Sequence, residues 1–187
     1  MIISHSKRYI FVKTAKTAGS SVEALLGETL APEDEWITKG KGEVKPGRVY
    51  YHAKTSEIIR ARRGEWLSYF TFAIVRHPLD RLVSVYWHRK KKDGENFSSF
   101  SEFLREAPKG YLIHEHLQPL PDKIIFFEKL KKGLGELNLE LDTRRLPHLK
   151  GDTREGPRKL WTGEDKEFFR RKMKKEYEFH KSLGYRL

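Results

Sequence analysis

The sequence predicts an α/β fold, a single domain over residues 1–187 with a mainly parallel central sheet flanked by helices. Three observations carry that prediction. Short runs of β-branched, aliphatic and aromatic residues recur at Tyr9–Val12, Phe70–Val75 and Ile124–Phe127. The first two pass through a loop into apolar residues at helical spacing. At 187 residues, with no internal repeat, low-complexity tract or extended linker, the chain suits one core.

In chain order, Tyr9-Ile10-Phe11-Val12 reads as a strand that breaks at Lys13–Gly19 and leads into a helix from Ser20 to Leu30, with Val22, Leu25 and Leu26 on its apolar side. Lys39–Arg48 is rich in glycine and charge and reads as a loop. Thr55 opens a short helix to Ala61. The run Phe70–Val75 ends in Arg76-His77-Pro78, and Pro78 suits the first position of a helix that continues from Leu79 to about His88. Ser99-x-x-Glu102 is a capping-box pattern for a helix to Glu106. Ile124–Phe127 is a third buried strand, with Glu128–Lys132 turning away and Gly133 and Gly135 as stops. After a second charged loop at Gly151–Lys159, Thr162-x-x-Asp165 opens one last helix, with Phe168, Phe169, Met173, Tyr177 and His180 on its docked face.

Composition narrows the function. Thirty-eight Lys and Arg against 26 Asp and Glu give a net charge of +12, a field that attracts anions. The absence of cysteine excludes a disulfide framework, a thiolate zinc site and a cysteine nucleophile. Met1–Ile10 includes His5, Lys7 and Arg8 and has no long apolar run, so neither a signal peptide nor a membrane span is expected, and the expected location is cytoplasmic.

Ligands of parallel α/β sheets sit beyond the carboxyl ends of the strands, where the loops at Lys13–Ser21 and Arg76–Ser84 both begin. The first loop combines a close-approach glycine, Gly19, with the Thr17, Ser20 and Ser21 hydroxyls and amides at a helix start and the cation of Lys16, which together describe an anion cradle. It is not a Walker A loop, because the Lys precedes the Gly and no Gly-x-x-x-x-Gly-Lys-Ser/Thr is present. Two other readings stand beside an anion-handling enzyme. One is a nucleic-acid or polyanion-binding module, suggested by Arg89-Lys90-Lys91-Lys92 near Tyr86 and Trp87; the other is an atypical nucleotide kinase.

Phe11-Val12-Lys13-Thr14-Ala15-Lys16-Thr17-Ala18-Gly19-Ser20-Ser21 resembles the 5′-phosphosulfate loop of the sulfotransferases that use 3′-phosphoadenosine 5′-phosphosulfate (PAPS), with Ala15 in place of the usual Pro. Phe72–Tyr86 is similar to the same family's 3′-phosphate motif, an Arg and a Ser eight positions apart around a Pro and a second Arg. The resemblance is to the branch containing heparan sulfate 2-O-sulfotransferase and the carbohydrate sulfotransferases. It continues more loosely through Ile124–Leu130 and Lys175–Tyr185, and His116-Leu117-Gln118-Pro119 is similar to a His-x-x-Pro-Gln element, with Leu120 where Gln is usual.

The resemblance implies a P-loop-NTPase-like sulfotransferase architecture, PAPS as donor, adenosine 3′,5′-bisphosphate as product and no metal. The implied acceptor is a hydroxyl on a carbohydrate or other small molecule, acidic ones included, and nucleic acid is disfavoured. Donor contacts are expected from Lys13, Lys16, Thr17, Ala18, Gly19, Ser20 and Ser21 on the phosphosulfate, from Arg76 and Ser84 on the 3′-phosphate, and from Lys150 and Thr153 in a late basic loop that also holds Arg154. Lys16 is expected on the bridging oxygen, while Arg81 reads as a structural ion-pair residue. A hydroxyl acceptor needs a base with a pKa near neutrality. His52, between the two loops and where this branch places its catalytic His, ranks first, with His116 as an acceptor contact. His114 and His116 are two apart, a spacing that on an extended segment turns both to one side, for an acceptor or a metal pair.

Overall fold

The computed structural model describes residues 1–38, 50–92, 97–106, 112–147 and 160–187. They fall into two compact units, Met1–Val75 with Glu115–Leu149, and Arg76–His114 with Lys150–Leu187.

The first unit is built on a five-stranded sheet. Its strands are β1 (Ile2–Ser4), β2 (Tyr9–Val12), β3 (Glu35–Trp36), β4 (Phe70–Val75) and β5 (Lys123–Phe126), in the spatial order β3-β1-β2-β4-β5. β2, β4 and β5 are parallel, with Val12 opposite Ala73 and Val75 opposite Phe126. β1 is antiparallel to both β2 and β3, so the expected mainly parallel sheet is corrected to a mixed one. The physical reason is a hairpin at the start of the chain: Ile2 pairs with Phe11 and Ser4 with Tyr9, and Arg8 takes a left-handed φ of 53° in the turn. Two-residue β3 carries too little pattern to be read from sequence.

Tyr9 to Val12 are all at most 1% exposed, so β2 is buried on both faces. On one face Phe11, Phe72, Ile74 and Ile125 pack with Val22, Leu25 and Leu26 of helix α1 (Gly19–Gly27), the three residues expected on its apolar side. Each such side chain contributes about 1.5–3 kcal/mol by leaving water. Helices α2 (Thr55–Ala61) and α3 (Arg63–Ser68) precede β4, and α3 has no sequence expectation. Asp122 accepts from the backbone amide and hydroxyl of Thr71, both at 2.8 Å, which pins the approach of β5 to the start of β4.

In the second unit, α4 (Pro78–Lys92) starts as Pro78 predicts and runs beyond His88, and α5 (Phe100–Glu106) follows. The chain crosses from this unit to the first within the short helix α6 (Ile113–His116). That helix corrects the expectation for His114 and His116, because residues two apart on a helix turn away from each other. Gly133 is not a stop: helix α7 (Leu130–Gly135) of the first unit runs through it, and a Cβ there would lie 2.6 Å from Ile125, so the glycine allows close packing. The single last helix is also corrected. It breaks at Met173 (φ −114°, ψ 42°) into α8 (Gly163–Lys172) and α9 (Lys174–Ser182), while the Thr162–Asp165 capping box forms as expected.

Arg81 is fully buried and paired with Glu176 at 3.5 Å, as the structural reading holds. Glu176, also fully buried, accepts from the amides of Ile113 and His114 at 2.9 Å and from His114 Nδ1 at 2.8 Å. Burial alone would raise its pKa, but Arg81, His180 and the two amides hold it below the ordinary carboxylate range. Among the described residues no helix is long and apolar enough to cross a membrane, and no cluster of His, Asp and Glu stands ready to hold a metal.

Candidate active site

Because β2 and β4 are parallel neighbours, the loop after β2 leaves from the sheet edge at which β4 also ends. The loop is held from inside. Thr14 donates its one hydroxyl proton to the Ile74 carbonyl, so Thr17 must be the donor towards Thr14, whose hydroxyl and carbonyl oxygens lie at 2.8 and 3.1 Å. The Thr17 side chain is fully buried; its hydroxyl, expected on the donor, secures the loop instead.

Lys16 and Ala18 hold left-handed φ values of 63° and 64°. For residues with a Cβ each such conformation costs on the order of 1–3 kcal/mol, and it persists where the surroundings enforce it, typically at functional sites. Ala18 is the residue before α1 and supplies no side-chain cap, while its carbonyl accepts from the Ser21 amide at 2.9 Å and the Val22 amide at 3.1 Å. The first amides of the helix, at the positive end of its dipole, thus meet the loop without a capping side chain. Such an end accommodates an anion. Lys16 and Ser20 are partly exposed, whereas Ser21 is buried.

Gly19 is required by a neighbour. A Cβ there would lie 2.8 Å from Cγ of Lys13, whose side chain runs past the start of α1. The Lys13 ammonium, expected on the donor, is buried and paired with Glu23, which also receives the Met1 ammonium. Sequence reasoning missed Glu23. Its signal is a carboxylate in the stripe Gly19, Val22, Glu23, Leu26, one side of a helix that is otherwise apolar.

His52 comes to the same loop. Its Nδ1 lies 2.9 Å from the Lys13 carbonyl. A carbonyl only accepts, so Nδ1 carries the proton and the neutral ring keeps its lone pair on Nε2. Burial, the largest influence, lowers the pKa of His52; the bond to Lys13 opposes this, and the Lys13 charge adds to it. The Tyr51 ring lies 4.1 Å from that of His52, and the Lys13 ammonium sits 5.4 Å over Tyr51. The His116 carbonyl accepts from Thr55 Oγ1 at 3.3 Å, which ties His116 to the start of α2, three residues beyond His52.

In the second unit Arg76 directly precedes His77 and α4, and Ser84 lies two turns into that helix; both are partly exposed. Arg76 is close enough to Arg81 to disfavour its charge. Asp80 accepts from Trp161 Nε1 at 3.0 Å, and the ring of His77 stacks on Trp161 at 5.8 Å, a contact no local sequence signal announces. Lys150, Thr153 and Arg154 lie outside the described residues.

A family model described as "Sulfotransferase family" matches residues 1–124, which include both loops, His52 and His116. Comparison with curated proteins and with solved structures finds no match.

Proposed function

The chain belongs to the sulfotransferase family, whose chemistry is sulfuryl transfer, and we propose that it uses PAPS to sulfate a hydroxyl on a carbohydrate or other small acceptor, as one P-loop-like sulfotransferase domain over residues 1–187. The observation that carries this is the loop after β2: two enforced left-handed residues and an uncapped helix start, with His52 anchored on its first carbonyl. Lys16, the amides of Ala18, Gly19 and Ser20 and the Ser21 hydroxyl take the phosphosulfate. Arg76 and Ser84 take the 3′-phosphate.

The step is an in-line displacement. Nε2 of His52 removes the acceptor hydroxyl proton as the oxygen bonds to sulfur. The bond from sulfur to the bridging oxygen breaks, its electron pair stays on the 5′-phosphate, and Lys16 stabilises the charge that collects there. A sulfate ester, adenosine 3′,5′-bisphosphate and a protonated His52 result. We propose that the enzyme acts in the cytoplasm.

Arg76 gives a test on the donor side alone. Arg76→Ala should weaken adenosine 3′,5′-bisphosphate by about 10- to 100-fold, the scale of one charge-assisted contact of about 1.5–3 kcal/mol. Adenosine 5′-phosphate, which lacks the second phosphate, should change less than roughly threefold. Calorimetric titration of both ligands decides it: equal losses remove Arg76 from the 3′-phosphate and the donor assignment with it.

A further inference from the structure

We propose that Lys13 and Glu23 are positioning residues: their buried ion pair fixes the backbone of Lys13 as the anchor for His52 and keeps its ammonium off the donor. This deepens the reading of the same site and rests on it for the role of His52.

Three contacts of one residue converge. The Lys13 ammonium is bound to Glu23 in the second turn of α1, with both side chains at most 10% exposed. Its stem occupies the space that only a glycine at position 19 leaves open, with Cγ 2.8 Å from where a Cβ would stand. Its carbonyl accepts from His52 Nδ1 at 2.9 Å. A lysine needs none of this to meet a phosphate, for which a solvated, rotatable ammonium suffices. Burying an ammonium is costly unless a partner of opposite charge is fixed beside it, and such pairs often add little net stability. The geometry held here is that of the strand end, the helix start and the imidazole. Lys16, three residues later, is partly exposed and is the cation that the donor reading uses.

Among the described residues, Lys13, the Met1 amino group and Glu23 act on the charge of His52, and the Tyr51 ring packs on it. Lys13 and Met1 disfavour the imidazolium and Glu23 favours it. Removing the Lys13 charge while keeping its stem should therefore raise the midpoint at which His52 titrates.

The test is Lys13→Met, read by NMR titration of the His52 ring, assigned with a His52→Gln variant, and by calorimetry with adenosine 3′,5′-bisphosphate. Glu23→Gln strands the buried Lys13 ammonium and can fail to fold. Lys13→Met leaves Glu23 its Met1 partner and carries the decision. The expected result is a raised His52 midpoint with bisphosphate affinity within roughly threefold of wild type. An unmoved midpoint, or an affinity loss of tenfold or more, overturns the proposal; the latter makes Lys13 a donor ligand. The ring titration needs neither donor nor acceptor, so it reports on this pair even if the PAPS reading fails.

Discussion

His52→Ala should lower turnover by about 10²- to 10⁴-fold, the contribution of a positioned base, while PAPS binding measured by calorimetry stays close to wild type. The separation follows from where the proton sits. Nδ1–H is committed to the Lys13 carbonyl, so the lone pair that can accept a proton is on Nε2, and losing the ring removes that lone pair without removing a phosphate contact. The pH profile gives a second, sharper expectation. Burial disfavours the imidazolium, so the neutral base persists to lower pH than for an ordinary histidine. The wild-type rate should rise with pH along a limb lying below about 6.5 and be flat through neutrality. That limb should be missing from His52→Ala. A variant that keeps both rate and limb assigns the base elsewhere, with His116 next to be replaced.

Lys16→Ala should cost about 10²- to 10³-fold in turnover, the scale for removing one preorganised stabiliser of developing negative charge. Stability should fall by no more than about 1 kcal/mol, the centre of the range for single substitutions. Alanine keeps a Cβ, so the left-handed backbone at this position is as strained in the variant as in the native chain. Thermal melting and steady-state kinetics on the same preparation separate the two effects. A variant turning over at the wild-type rate removes Lys16 from the bridging oxygen.

Legibility differed between local and distant contacts. The strands at Tyr9–Val12 and Phe70–Val75, the apolar side of α1 and the Thr162–Asp165 cap were all readable, because each is a short-range pattern of periodicity or capping. The parallel pairing of β2 and β4 follows from the helical crossover between them. What escaped carries no such pattern. The antiparallel β1 and β3 have three and two residues and are specified by pairing. The break at Met173 interrupts an apolar stripe that reads as continuous.

The site divides in the same way. The loop Lys13–Ser21 was found from its composition, but composition does not say which of its side chains face inward. Thr17 and Lys13 carry the right groups for a phosphate, yet the hydroxyl closes on Thr14 and the ammonium on Glu23, ten residues away. His52 was singled out by its place between two loops, and the structure adds what position cannot give, the hydrogen bond that fixes its tautomer.

The measurement that bears most directly on the PAPS assignment is thermal stabilisation by nucleotides. Adenosine 3′,5′-bisphosphate at about 100 times its Kd should stabilise the protein by about 2.7 kcal/mol, a rise in Tm of roughly 5–10 °C for a chain of this size. ATP with Mg²⁺ at the same concentration should produce no comparable rise, since it has no 3′-phosphate for Arg76 and Ser84. Equal stabilisation by ATP and Mg²⁺, or none by the bisphosphate, would contradict the assignment, the first outcome in favour of a nucleotide kinase.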